Sequence, residues 1–151
     1  MRVLVSGSRH WDDYKTLQVV LAGFSASYEH LTVIEGGASG ADRLARRFVE
    51  DQKRPGLELL TFPAKWNEHD REGLTPVKCW CPEGEKTCKP AGHRRNQMMI
   101  DEGRPAVLVS LKDNLHPHLK SGGSEDMIKR AKKAGLHIMH LDHGGPWPST
   151  S

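Results

Sequence analysis

Four glycine-bearing turns carry most of the chemistry-capable residues of this 151-residue chain. They are Gly7-Ser8-Arg9, Gly36-Gly37-Ala38-Ser39-Gly40-Ala41-Asp42, Ala91-Gly92-His93-Arg94-Arg95-Asn96 and Ser121-Gly122-Gly123-Ser124. A turn without bulky side chains lets backbone N–H groups at a helix start reach a phosphate or a similar anion. Arg9 could fork its guanidinium onto that anion; the alternative is a surface charge. Asp42 either accepts hydrogen bonds from ribose hydroxyls or caps a helix. Glu35 closes an apolar run, near where many dinucleotide sites place a ribose-binding acid. Trp66 offers a face for a base, or is a core aromatic. Arg95 and Asn96 bring a charge and an amide for a phosphate and a base edge. Ser8, Ser39 and Ser124 read as phosphate contacts, since none has a motif-defined His–Asp partner. No turn matches G-x-G-x-x-G or G-x-x-x-x-G-K-[ST], so neither a standard dinucleotide fingerprint nor a Walker loop is present.

A second group lies between the turns. Cys79, Cys81 and Cys88 form C-x-C-x6-C, with His93 downstream and His69 upstream. Three thiolates and one imidazole satisfy a tetrahedral zinc ion that could order a long loop without a core of its own. His93 is the expected fourth ligand, with His69 the alternative should His93 face the anion site formed by the turns. Such a closed set is structural. The competing reading is unligated thiols or a disulfide.

The turns need strands and helices to gather them. Apolar β-branched runs at 2–6, 31–35, 57–62, 106–111 and 136–141 predict five strands. Helical periodicity over about 12–26 (Leu17, Val20, Leu21, Phe24), from Leu44 to Val49, and over about 93–102 predicts three helices between them. A fourth begins at Ser124-Glu125-Asp126, with a hydroxyl cap, acids in its first turn and cations in its last, and stops at Gly135. This alternation predicts a Rossmann-like three-layer α/β/α fold with a mainly parallel sheet of about five strands. In such sheets the turns after the strands share the carboxyl edge, where ligands bind. One domain is expected over 1–141, with a Cys-containing insertion at about 67–92 that lids the pocket, and a flexible tail at 142–151.

Composition narrows the class. The formal charge of +3, with nine His counted as neutral, tolerates an anionic ligand without arguing for DNA. No apolar run is long enough to span a bilayer, and MRVLVSGS lacks a signal-peptide pattern, so a cytoplasmic protein without membrane contact is expected. Three cysteines clustered within ten residues do not form a secreted disulfide framework.

Val5-Ser6-Gly7-Ser8-Arg9 with Trp11, Glu35 through Asp42, and Phe62-Pro63-Ala64-Lys65-Trp66 resemble the YspA-like (YpsA-related) branch of the SLOG superfamily. The likeness continues through Ala91 to Met99 and through Gly123-Ser124-Glu125-Asp126-Met127. That superfamily also includes the LOG phosphoribohydrolases and the Rossmann domain of DprA, and small stand-alone members are frequent in phage and mobile-element genomes. The resemblance implies binding of a nucleotide or nucleotide-derived ligand, for example one like ADP-ribose, by a sensor or sequestering protein. The competing reading is an enzyme cleaving an N-glycosidic or phosphoester bond in such a ligand, with Asp42, Glu35 or Asp126 as candidate acids. Single-stranded DNA binding, by analogy with DprA, is disfavoured by the nearly balanced charge. In LOG enzymes the last loop resembles P-G-G-x-G-T-x-x-E with a catalytic Glu; here Met127 stands at that position, which disfavours the phosphoribohydrolase. SLOG relatives often self-associate, which makes a homo-oligomer an expected partner state.

Overall fold

Successive residues of the first strand face opposite ways, as the period of a strand requires. Val3 and Val5 enter one core with Leu17, Leu21, Ala45 and Phe48, while Leu4 enters a second with Met99, Leu108, Met127 and Ile138. A strand buried on both faces belongs in the middle of a sheet covered by helices on each side. The computed structural model, which describes residues 1–112, 122–143 and 149–150, has that architecture.

The order is β1 (Arg2–Gly7), α1 (Tyr14–Ser27), β2 (Leu31–Glu35), α2 (Ala41–Gln52), β3 (Leu57–Thr61), α3 (Ala91–Asp101), β4 (Val107–Leu111), α4 (Gly122–Lys133) and β5 (His137–Leu141). These five strands are all parallel, in the order β3-β2-β1-β4-β5, and the two-residue β6 (Ser149–Thr150) pairs antiparallel with β5. The fold is Rossmann-like. Helices α1 and α2 cover the core around Val3 and Val5, and α3 and α4 cover the core around Leu4.

Local chemistry sets the helix boundaries. Asp13 caps α1 by accepting the Thr16 amide at 3.1 Å and the Thr16 hydroxyl at 2.6 Å. Helix α4 starts at Gly122, so Ser124 lies inside its first turn and is not the N-cap that the sequence predicts. Ser121 of the fourth turn and most of the loop before it, with His116 and His118, lie outside the described residues. Met127 is fully buried in the second core, where its packing accounts for an apolar residue at that position. No described helix is long and apolar enough to cross a membrane.

Residues 62–90, between β3 and α3, contain neither helix nor strand. Polar ties hold this segment instead. The Asp70 carboxylate accepts the backbone amides of Gly73, Leu74 and Thr75, each at 2.9 Å, and the Thr75 hydroxyl. These bonds, led by the Thr75 hydroxyl, lower the Asp70 pKa to about 2.

Candidate functional site

The carboxyl ends of β1, β2 and β3 deliver three of the chemistry-bearing segments to one place. Two buried carboxylates hold the glycine turn after β2. Glu35 is fully buried; it accepts the Gly37 amide at 2.6 Å, the Thr61 hydroxyl at 2.5 Å and the Arg46 guanidinium at 3.2 Å. Arg46 also donates to the Ala38 carbonyl at 3.1 Å, so one guanidinium ties both ends of the turn to α2. Asp42 accepts the Ala38 amide at 3.1 Å from beneath. Burial pushes the Asp42 pKa up to about 6, with the nearby Glu35 charge adding to the rise and the Ala38 and Gly36 amides and Arg95 opposing it. Ser8 is buried at the end of β1, and its carbonyl accepts the Ala41 amide at 3.1 Å. Gly40 begins α2 with φ +66°, a conformation that L side chains rarely adopt. The first and second turns are thereby locked together.

Above this scaffold lies a cavity of about 320 Å³, lined by Arg9, Gly36, Gly37, Ala38, Ser39, Pro63, Ala64, Trp66 and Arg95. Arg95 reaches in from α3, donates to the Gly36 carbonyl, and donates through Nε to Asn96 Oδ1 at 3.1 Å. A Cβ at position 36 would collide with that guanidinium, so Gly36 is what admits Arg95. Burial lowers the Arg95 pKa; Asp42 and Glu35 oppose the fall and the Arg9 charge adds to it. Two guanidiniums sharing a concave site repel each other, and an anion between them relieves that repulsion. Trp66, 40 % exposed, stands 6.0 Å from the Arg9 guanidinium, measured to the ring centroid. It is a pocket wall, not a core aromatic.

The remaining sequence candidates are placed elsewhere. Gly7 pairs in register with Leu111, and the Ser8 hydroxyl accepts the His10 amide at 3.0 Å. Asn96 is buried and donates to the Gly123 carbonyl at 3.0 Å and to Asp126 at 3.1 Å, so its amide joins α3 to α4. Gly122, Gly123 and Ser124 open α4. Neither Asp42 nor Glu35 is among the lining residues, and no carboxylate among the described residues lines this cavity. Arg46 was missed in the sequence. No local spacing signals it, because its partner Glu35 lies eleven residues earlier, at the end of a strand.

The cysteines do gather. The donor atoms of His69, Cys79, Cys81 and Cys88 lie within 4.8 Å of one another, with the three cysteines buried, and this His/Cys3 cluster could hold a metal ion. Backbone N–H groups of Cys81 and Lys89 point at the sulfurs of Cys79 and Cys81 at 3.4 and 3.3 Å, and Arg94 approaches Cys88 Sγ at 3.5 Å. Donors aimed at sulfur suit thiolates. The expectation of His93 as fourth ligand is corrected: His93 lies in the first turn of α3 on the side facing α4, 3.7 Å from Asp126, and His69 is the imidazole beside Cys79, at 3.3 Å. The buried Arg94, also missed, binds the Val77 and Glu68 carbonyls at 2.9 and 3.4 Å and fastens the segment to α3.

The two glycine turns, the locking carboxylates and Trp66 all precede residue 70, and that part of the chain is the part with a family match. Residues 1–69 match the YspA, cpYpsA-related SLOG family. Arg95 and the three cysteines lie outside the matched SLOG segment. Along nearly its whole length the chain is similar to the Gene 61 protein of Mycobacterium phage D29, with 29 % identity over 143 residues covering 93 % of this chain and 95 % of that protein. Among solved structures it overlaps a deacetylase of the teicoplanin biosynthesis pathway in its complex with bog (13 % identity, TM-score 0.44). It also overlaps the zinc-inhibited form of the teicoplanin deacetylase Orf2 (14 % identity, TM-score 0.44). Each overlap covers 94 % of this chain and 67 % of the other.

Proposed function

We propose that this protein binds a nucleotide or nucleotide-derived ligand, such as one like ADP-ribose, at the carboxyl edge of the sheet and acts as a sensor or sequestering protein. The observation that carries the reading is the convergence of Arg9, Arg95 and the exposed Trp66 face on the glycine turn at 36–39. Guanidiniums match phosphate geometry, glycines let the ligand approach the backbone, and an indole stacks on a base or ribose. The SLOG match over the same segment supports it.

Hydrolysis of the same ligand is the second reading, and the raised pKa of Asp42 favours it, since a carboxyl near neutrality suits general acid catalysis. Against it, Asp42 lies beneath the turn and already accepts the Ala38 amide. A binder is the stronger conclusion. The His/Cys3 cluster is read as a structural zinc site, because four protein donors leave no open position for chemistry.

The test is a thermal-shift panel of mononucleotides, ADP-ribose derivatives and cyclic nucleotides, with chromatography of each mixture. Binding predicts a raised melting temperature and no product. A product whose formation is abolished by Asp42→Asn supports the hydrolase, and a panel in which nothing shifts the melting temperature overturns both.

A further inference from the structure

A second cavity, also of about 320 Å³, lies on the α3 side of the same ridge. Its floor includes Ala91, Arg94 and Met98 of α3, and its outer wall is the segment carrying His69, Leu74 and Thr75. Pro63 and Arg95 line both this cavity and the anion pocket. The two are neighbours divided by one proline and one guanidinium.

Three features make this a built space. The outer wall is fixed by the Asp70 carboxylate, which gathers the amides of residues 73–75. Arg94 then straps the wall to α3 through the Val77 and Glu68 carbonyls. The His/Cys3 cluster holds His69, a lining residue, and the Cys88 amide donates to the Trp66 carbonyl at 2.6 Å, so the segment is tied to the anion pocket as well. Over this cavity Leu74 is held 84 % exposed. Lys65, Glu68 and Asp70 also line this cavity, but most of its exposed surface is apolar, and a large apolar side chain fixed in water beside it gains from being covered.

We propose that the thiol-bearing segment builds a second subsite, which takes a heteroaromatic base joined through its sugar to the phosphate held by Arg9 and Arg95. The inference rests on the nucleotide-binding reading above. Each cavity alone sits at the lower end of ligand-pocket sizes, about 300–1,000 Å³. A two-part ligand crossing the Pro63–Arg95 ridge uses both. Its anion lies between the guanidiniums, and its planar apolar end lies between Met98 and Leu74. Joining the two ends makes the second contact intramolecular, which raises affinity well beyond that of either part.

Calorimetric titration of the metal-loaded full chain with two probes, inorganic pyrophosphate and ADP-ribose, tests this. Wild type is expected to bind ADP-ribose at least tenfold tighter than pyrophosphate. Met98→Trp fills the second cavity and removes that advantage, while its pyrophosphate affinity stays within about twofold. Leu74→Asn changes a solvent-exposed side chain and so leaves folding intact; it lowers ADP-ribose affinity a few-fold and leaves pyrophosphate alone. An ADP-ribose advantage that survives both substitutions overturns the second subsite while leaving the anion pocket standing. Failure of both probes to bind wild type overturns the nucleotide reading itself, and the subsite with it.

Discussion

Replacing Arg9 by Ala separates a ligand-binding charge from a structural one. The side chain is exposed, lines the cavity above the 36–39 turn, and lies near enough to Arg95 for the two charges to interact. Removing it relieves like-charge repulsion in the empty protein, so the ligand-free melting temperature should stay the same or rise slightly. With ligand, the loss is one charge-assisted hydrogen bond, worth about 1.5–3 kcal/mol. Exposure to solvent and salt puts Arg9 at the lower end, close to a tenfold weakening. With ADP-ribose at about 100 times the wild-type Kd, binding stabilises the fold by about 2.7 kcal/mol, and a tenfold weaker complex by about 1.4 kcal/mol. At about 2–4 °C per kcal/mol for a chain of this size, a wild-type shift of about 5–11 °C falls by roughly half. Differential scanning fluorimetry with and without ADP-ribose reads both quantities. A ligand-free protein that melts several degrees lower, with an unchanged ligand shift, would make Arg9 structural and remove it from the binding site.

Further outcomes follow from the carboxylates and the thiols. The Asp42 pKa is raised in the folded state from 3.8 to about 6, so the folded protein binds more protons than the unfolded chain between these values. Stability therefore falls as pH rises from about 4 to 6, by on the order of 3 kcal/mol, and Asp42→Asn should flatten that part of the profile in urea midpoints measured at pH 4.5 and 7. Glu35→Gln leaves Arg46 without its buried counter-charge and weakens the turn, costing about 3 kcal/mol in a denaturant titration; an unchanged midpoint would contradict the role assigned to Glu35. Elemental analysis of purified protein should find about one zinc per chain, lost in Cys88→Ser and His69→Ala but kept in His93→Ala. The reverse pattern for the two histidines would restore His93 as the ligand.

The sheet and its helices are legible in the sequence because Val3, Leu4 and Val5 lie in one continuous apolar run, and Leu44, Ala45 and Phe48 fall at helical spacing. Several residues lining the cavity above the 36–39 turn are legible: Arg9, Gly36, Gly37, Ser39, Trp66 and Arg95 all stand in the predicted set. The direction of the carboxylates is not. Whether Asp42 and Glu35 face a ligand or a backbone amide depends on the turn's path, which only Ala38, Gly37 and Arg46 together reveal. Asn96 is a similar case, one residue beyond Arg95 yet turned by the helix towards Gly123 and Asp126. His93 is preferred to His69 in the sequence, whereas the donor atoms bring His69 to the cysteines; C-x-C-x6-C leaves the fourth donor open on either side. The distance between donor atoms depends on how Asp70 and Arg94 fold the segment, and neither residue carries a motif.

In the proposed reading, Arg9 and Arg95 hold the phosphate of a nucleotide-derived ligand. Native mass spectrometry of wild type and Arg95→Met titrated with ADP-ribose tests it most directly. A one-to-one complex is expected with wild type and is absent or greatly reduced in the variant, both proteins retaining their folded charge-state distribution. Equal occupancy in wild type and the folded variant would contradict it.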